Sequence, residues 1–291
     1  MEYKIYIDGK WYNQENAKIS VLDRGLICGD SIYEVFRSYN GKRIFLLDEH
    51  IERLKKSADY LRLALPCSCE EIKDTLDQCV SEARFKQTYI RLIITRGIAD
   101  INLDFSQPTK PSFIVLLKEY FPSPKAQYSE GIDLKIVTIR RNPIDSFDPG
   151  AKSGNYLNSA LAFNEARDTG FHDALLLNHQ NYCTESSTSN FFFVKGNVLC
   201  TPSLEMGILS GITRNFIIKC AREAKLVVNE GAFTKSDLWN ADEAFISSTL
   251  KEIMPVKSID HEKIFSEIPG KITKKLQTLF AQKVHQYYES K

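Results

Sequence analysis

In the stretch DPGAKSGNYLNSALAFNEA, residues 148–166, a lysine stands between a Pro-Gly turn and a small-residue run that opens a helix carrying Leu157, Leu161, Ala162 and Ala166. Most lysines decorate a surface, and Lys152 earns a second reading only through the polar turns elsewhere in the chain. TESSTSN (184–190) carries Glu185 and four consecutive hydroxyl residues, Ser186 to Ser189, ahead of the apolar run NFFFV. LSGITRN (209–215) is a glycine turn opening a helix with Thr213 in its first turn, and the amides of a helix start favour a phosphate. ISSTLKE (246–252) reads as a strand ending in three hydroxyls, and Arg53 lies near the start of a helix where it can meet the same anion. A lysine, a carboxylate and several phosphate-binding turns are the groups that pyridoxal phosphate requires. The amine forms a Schiff base with the cofactor aldehyde and must be partly desolvated, so that it is not locked as ammonium. A carboxylate against the pyridine nitrogen keeps that nitrogen protonated. The phosphate is best held by backbone amides, hydroxyls and one arginine.

Other chemistries lack their residues. The chain has no GxGxxG, GxxxxGK[ST], HExxH or GxSxG motif, and its five histidines are scattered, so no metal site is expected. With 38 basic against 37 acidic residues, the net charge of +1 gives no reason to expect nucleic acid or an anionic membrane as partner. No apolar run approaches the roughly 20 residues of a spanning helix, and MEYKIYIDGKWY lacks the basic and apolar regions of a signal peptide. The seven cysteines are scattered, and Cys67 and Cys69 are too close for a redox or zinc pair. A reduced, cytoplasmic protein with thiols filling core space is the expectation.

The elements that must position these groups follow from periodicity. YKIYID (3–8) alternates into a turn at Gly9, and SIYEVFRSYNGKRIFLL (31–47) reads as a hairpin turned at Asn40-Gly41. DEHIERLKKSADYLRL has apolar residues at 51, 54, 58 and 61, a helical stripe, and a second helix covers about 70–84. Strands are expected at 89–95, 112–118, 134–140, 173–177 and 190–194, at 198–201 after a turn, and in LVVN, AFISS and PVKSI. Helices are expected over about 155–168, 212–224 and 270–287, the last with Ile272, Leu276, Leu279, Phe280 and Val284 inside. EYFPSPKAQYSEG (119–131), with two prolines and little periodicity, is the best linker. The expected class is α+β in two domains, 1–118 and 132–291, joined by 119–131.

From DRGLICGDSIYEVFRSYNG through HIERL, AKSGNYLNSALAFNEA, TESSTSNFFFV, ILSGITR and ISSTLKEIMPV, the chain resembles, almost end to end, the fold-type IV (class IV) pyridoxal-phosphate aminotransferases. That family includes branched-chain and D-amino-acid aminotransferases and aminodeoxychorismate lyases. The resemblance implies a small N-terminal α/β sandwich, a larger C-terminal pseudo-barrel α/β domain that binds the cofactor, and a homodimer. By matching position, Lys152 resembles the Schiff-base lysine and Glu185 the partner of the pyridine nitrogen. Arg53, Ile212, Thr213 and Thr249 resemble the phosphate-binding set, with Ser248 and Ser187 close by, and Tyr156 resembles a residue near the cofactor's ring hydroxyl. Lys152 then serves as covalent anchor and as shuttle of the substrate Cα proton, in a ping-pong exchange between an amino acid and a 2-oxo acid such as 2-oxoglutarate.

A strand period of two puts Tyr33, Val35 and Arg37 on one face, and Tyr89, Arg91 and Ile93 on another. Arg37 and Arg91 are either outward-facing strand residues or, as the resemblance implies, surround the substrate carboxylate together with Tyr33. D-amino-acid enzymes of the family often read the carboxylate with an Arg-x-His pair after TRG, and TRGIADINLDFSQP offers neither residue beyond Arg96. Branched-chain L-amino acids and D-amino acids both stand as substrates, with the lyase and an (R)-amine transaminase behind them. A cofactor binder without activity is the non-enzyme alternative, and the presence of both Lys152 and Glu185 weighs against it.

Overall fold

The computed structural model describes residues 2–39, 41, 43–106 and 109–289. Contacts divide the chain into two units, Met1–Phe121 with Ala151–Asn155, and Pro122–Gly150 with Tyr156–Lys291. The boundary falls inside the stretch 119–131, whose second half is helical rather than irregular.

In the first unit, alternating sequences form β1 (Tyr3–Ile7), β2 (Lys10–Tyr12), β3 (Ser31–Ser38), β4 (Thr88–Thr95) and β5 (Ser112–Glu119), with helices α1 (Arg24–Ile27), α2 (Leu47–Tyr60) and α3 (Cys69–Ala83). The strands make an antiparallel sheet in the order β2-β1-β5-β4-β3, which leaves β3 at an edge. Period two sends Ile32, Phe36, Ile90, Leu92, Ile94, Val115 and Leu117 to one face, where they meet Ile51, Leu54 and Ala58 of α2 and Ile72, Leu76 and Val80 of α3. Leu54, Ile72 and Leu76 are fully buried, and each contributes roughly 2 kcal/mol by area. Ser68 and Glu71 start α3 with a reciprocal capping box.

The expected hairpin over 31–47 forms only in part, and its turn residue Asn40 lies outside the described residues. Among the described residues the returning arm keeps a bridge, Ser38 to Ile44, and a bond from the Phe45 amide to the Arg37 carbonyl, 3.1 Å. Leu46 then adopts a left-handed conformation, φ 53°, and Leu47 enters α2. The continuous apolar run IFLL has no period of its own, and burial of Leu47 under the sheet draws it into the helix.

The second unit contains α4 (Lys125–Glu130), β6 (Ile132–Ile136), α5 (Leu157–Asp168), β7 (Asp173–Leu177), β8 (Cys183–Ser186), β9 (Asn190–Lys195) and β10 (Val198–Pro202). A 3-10 turn at Leu204–Met206 precedes α6 (Ile212–Glu223), β11 (Val227–Gly231), α7 (Lys235–Trp239), β12 (Glu243–Ser248), β13 (Glu252–Ile259), β14 (Lys263–Ile264) and α8 (Lys271–Glu289). Strands pair in the order β9-β12-β13-β6-β7-β8, and β8 returns to β9 through Glu185 opposite Asn190, so six strands close on themselves as a pseudo-barrel. The parallel pairs β6–β7 and β10–β11 are each joined by a crossover helix, α5 and α6, as parallel neighbours require. Alternate residues of β7 serve two cores. Leu175 and Leu177 pack with Phe191, Phe193, Ile246 and Met254, while Ala174 and Leu176 pack with Ala162 and Ala166 of α5.

Further features of the fold depart from the sequence expectations or add to them. The strand expected to run to residue 140 ends at Ile136, because the amides of Thr138 and Ile139 donate to the Glu165 carboxylate of α5 instead of to a neighbouring strand. Strand β8 went unrecognised, because Cys183–Ser186 is mostly polar and hydrophobic periodicity cannot register it, although all four residues are buried. Leu157 and Leu161 are exposed, and the inner face of α5 is Ser159, Ala162 and Ala166. Ile272 and Leu279 of α8 are half-buried, with Thr273, Leu276, Phe280 and Val284 inside.

All seven cysteines are free thiols. Burial pushes Cys79 and Cys183 up to about 12, so both stay protonated, whereas Cys28 is exposed. Among the described residues no helix is long and apolar enough to cross a membrane, and no group of three or more His, Cys, Asp or Glu side chains is placed to hold a metal ion.

Candidate active site

The edge of β3 does not stay open. Residues 151–155 lie along it: the Tyr33 amide donates to the Lys152 carbonyl at 3.0 Å, Ser153 bridges to Ile32, and the Gly154 amide donates to the Ser31 carbonyl at 2.8 Å. Gly154 permits this approach, since a Cβ there would lie 2.2 Å from Ser31 Oγ. The Lys152 amide donates to Ser57 Oγ of α2 at 3.0 Å. With its backbone clamped on both sides, Lys152 sends its Nζ to the Tyr33 hydroxyl, 3.3 Å away and 4.3 Å from the ring centroid. The Arg91 guanidinium lies 4.3 Å from the same centroid. Arg91 Nε is buried with no hydrogen-bond partner among the described residues, a donor set up for an anion.

Tyr33, Val35 and Arg37 do share a face with Ile93, Arg91 and Tyr89, which are their cross-strand partners. Arg37 stands apart from the lysine, however. It is four residues along the strand from Tyr33, roughly 13 Å, its guanidinium sits against the rings of Tyr39 and Tyr120, and it donates to Gln87 Oε1 at 2.7 Å. Arg53 is buried on α2, where it pairs with Glu34. Arg96 donates to Asp30 and to the carbonyls of Leu61 and Arg62.

In the second unit Glu185 is fixed from three directions. Its carboxylate pairs with Arg141 at 2.8 Å, accepts from Asn190 Nδ2 at 3.0 Å, and accepts from the Leu209 amide at 3.2 Å. Asn190 also donates to the Leu209 carbonyl, 2.9 Å, so the carboxylate and the turn leading into α6 are tied together. That turn ends at Gly211, where a Cβ would lie 1.9 Å from Asn190 Oδ1, and α6 starts with Ile212 and Thr213 and no side-chain cap. An uncapped helix start leaves amides for an anion. The hydroxyls of Ser186, Ser189 and Ser247 are buried without a partner among the described residues. Two of the hydroxyls singled out from the sequence are engaged instead: Ser187 donates to Asp173, and Ser248 Oγ accepts from the Lys251 amide at 3.2 Å. Thr249 follows in the β12–β13 turn, and Tyr156 is the residue immediately before α5.

Lys251 closes the arrangement of turns. Its Nζ reaches Asp173 Oδ2 at 2.7 Å and Thr188 Oγ1 at 3.2 Å, which pins the turn after β12 to the turn after β8. Arg141, Asp173 and Lys251 were not found from the sequence, since each acts on residues far along the chain, and Asn190 was missed because its bond across the β8–β9 pairing leaves no periodic signal. Glu34 did leave a signal, a carboxylate at a core-facing position of an alternating strand.

The donors present fit the cofactor expected from the sequence. Taken by itself, the first unit holds an amine on a tyrosine and an arginine nitrogen without a partner among the described residues. Taken by itself, the second unit holds a clamped carboxylate, an uncapped helix start and three buried hydroxyls.

Burial would raise the Asp173 carboxyl, but the Lys251 charge and the bonds from Lys251 and Ser187 hold it below its ordinary value. The stabilisation from this pair is therefore complete above the unfolded carboxylate pKa of about 3.9 and is lost as pH falls below that through the folded value. Lys251→Met should cost about 2 kcal/mol at pH 7, under the range for fully buried pairs because Lys251 is partly exposed. The gap between variant and parent should narrow below pH ~4 as the carboxyl protonates in both. Thermal midpoints at the two pH values check this, and equal midpoints at pH 7 would show that the pair holds nothing.

The amino-transferase class IV family profile matches residues 31–259. The chain is 40% identical over 277 residues to a putative branched-chain-amino-acid aminotransferase of Methanocaldococcus jannaschii, covering 95% of each chain. It is 34% identical over 279 residues to a D-alanine aminotransferase of Staphylococcus epidermidis, covering 95% of this chain and 96% of the relative. Among solved structures, the Escherichia coli branched-chain amino acid aminotransferase superposes with a TM-score of 0.91 at 30% identity, covering 97% of this chain and 94% of that one. The T.th. branched-chain amino acid aminotransferase, solved with pyridoxamine 5'-phosphate, gives 0.89 at 30% identity with the same coverage. The lysine, the clamped carboxylate and the uncapped helix start thus stand in a fold-type IV enzyme, and the chain belongs to the class IV aminotransferases, whose cofactor is pyridoxal phosphate.

Proposed function

We propose that the protein transfers the amino group of a branched-chain L-amino acid to a 2-oxo acid such as 2-oxoglutarate, in ping-pong fashion. The observation that carries this reading is the single tyrosine platform on which the Lys152 amine and the Arg91 guanidinium both rest, each 4.3 Å from the ring centroid. An amine beside a carboxylate-reading cation is what an α-amino acid requires, and Val35 and Ile93 on the same sheet face offer apolar surface to an aliphatic side chain. The M. jannaschii relative and the solved branched-chain enzymes support that substrate class.

In this reading the bound cofactor supplies an electron sink for the pair left at the substrate Cα. Lys152 would anchor it covalently and, once displaced by the substrate amine, its free Nζ, oriented by the Tyr33 hydroxyl, would take the substrate Cα proton and carry it away from that carbon. Glu185, held by Arg141 and Asn190, would serve the pyridine nitrogen, and Tyr156 the ring hydroxyl. Arg53, Ile212, Thr213, Ser248 and Thr249 would take the phosphate, with Ser187 among the candidates beside them. Tyr33, Arg91 and Arg37 line the substrate side. The exposed Val21, Leu26, Ile101 and Leu103 of the first unit are apolar surface that a second copy would cover, which supports a homodimer. A cytoplasmic location remains part of the proposal and rests on the scattered free cysteines.

A second reading, a D-amino-acid aminotransferase, draws on the S. epidermidis relative. The missing Arg-x-His pair after TRG favours the L-substrate, and Arg96, within TRG itself, is engaged with Asp30 and the carbonyls of Leu61 and Arg62.

Lys152→Ala should remove the visible absorption band of the lysine-bound cofactor and reduce turnover by at least ~10³-fold; a variant with full transaminase activity would remove the central assignment. Glu185→Gln should keep the cofactor bound while slowing Cα proton removal by roughly 10²-fold, followed by single-turnover absorbance; normal turnover would show that another group serves the ring nitrogen. Added L-leucine should convert the visible band to that of pyridoxamine phosphate while D-alanine leaves it unchanged. The reverse selects the D-reading, and a band that neither touches moves the assignment to the lyase or to an amine substrate.

A further inference from the structure

Glu34 lies on the core face of β3 between Ile32 and Phe36, with none of its surface exposed. A carboxylate in that position is costly unless paired and fully hydrogen-bonded. Its Oε1 accepts from Arg53 Nε at 2.7 Å, and its Oε2 accepts from Arg53 Nη2 at 2.8 Å and from His50 Nδ1 at 2.8 Å. The two parallel bonds fix the plane of the guanidinium as well as its place. Because an ionised carboxylate only accepts, His50 carries its proton on Nδ1. Its own ring is held against Phe36, centroids 4.9 Å apart. Burial alone would raise the Glu34 carboxyl, but the Arg53 charge and the bonds from Arg53 and His50 hold it well below the usual carboxylate range. Burial pushes the His50 imidazole down, so it serves as a neutral prop.

The same helix carries the arrangement onward. Ser57 Oγ donates to the Arg53 carbonyl at 3.0 Å and accepts from the Lys152 amide at 3.0 Å. One turn of α2 therefore ties the arginine, whose side chain Glu34 orients, to the backbone of the lysine. A cation on a long flexible arm would otherwise lose rotamer freedom when it met an anion, and an arm already locked has little left to lose.

We propose that Glu34, braced by His50, is a positioning residue that pre-orients Arg53 toward the cofactor phosphate, so that the carboxylate tunes affinity for the phosphorylated cofactor without touching it. The inference rests on the assignment of Arg53 to the phosphate.

The test is to titrate the full chain, freed of bound cofactor, with pyridoxal phosphate and separately with pyridoxal, which lacks the phosphate, following absorbance. The unaltered protein should bind pyridoxal phosphate the more tightly. Glu34→Gln should lose roughly tenfold in affinity for pyridoxal phosphate while its affinity for pyridoxal stays within about twofold. Glu34→Asp keeps the charge but draws the carboxylate back from the guanidinium, and should fall between; if the glutamine variant does not fold, the aspartate variant decides by the same ratio. Equal losses for both compounds would make Glu34 a purely structural partner and overturn the proposal, as would an unchanged affinity for pyridoxal phosphate. An unaltered protein that does not discriminate the two compounds would instead overturn the phosphate assignment of Arg53. The Lys152→Ala spectrum tests the enzyme assignment independently of all these outcomes.

Discussion

The pairing of residues 151–155 along the edge of β3 is the constraint on which the chemistry depends. An edge strand presents unpaired amides and carbonyls, and some partner must satisfy them. Here the partner is the segment that bears Lys152, so a requirement of sheet stability also sets the height and direction of the lysine. The Tyr33 amide to Lys152 carbonyl bond and the Lys152 amide to Ser57 bond fix its backbone from the sheet and from α2 respectively. The long side chain then has a defined origin, and Tyr33 on the neighbouring strand residue defines its end. A freely hinged lysine would have to be ordered at each encounter with a ligand.

The second unit uses charge for the same purpose. Closing six strands brings β8 against β9 through the Glu185–Asn190 pair, so the carboxylate is carried by the barrel itself and not by a loose loop. Arg141 balances its charge, and Asn190 joins it to the turn before α6. The Lys251–Asp173 pair holds two hydroxyl-rich turns in register. Such pairs add little net stability once desolvation is counted, but each specifies one arrangement of groups that water would otherwise scatter.

Polar residues inside apolar elements mark where function departs from packing. Glu34 occupies a core position of a strand whose neighbours are Ile32 and Phe36, and β8 is buried although it reads CTES. Local rules assign the first to an error and the second to a loop. Both make sense only once the tertiary partners are in place, Arg53 and His50 for one and the closing barrel for the other. Places where local sequence and global fold disagree are expected at sites that must bind something polar.

The sequence by itself determined most of the elements and which side chains stand as candidates for the chemistry. Helical stripes such as 51, 54 and 58 or 276, 280 and 284, and alternating strands such as YIRLIIT, are local signals, because a period of 3.6 or 2 is written in consecutive residues. The glycine turn before Ile212 and Thr213 and the hydroxyl runs were legible for the same reason. The element ends were less so: Thr138 and Ile139 left the sheet because Glu165 offers their amides another acceptor, and IFLL joined a helix because Leu47 found a core. Only the tertiary structure decided that the Lys152 segment pairs with β3, more than a hundred residues earlier, and that Arg141 and Asn190 clamp Glu185. It also decided that Ser187 and Ser248 are engaged while Ser186, Ser189 and Ser247 are not. Each of these turns on which distant side chain arrives to satisfy a buried polar atom, and that depends on how the chain closes in three dimensions rather than on any spacing along it.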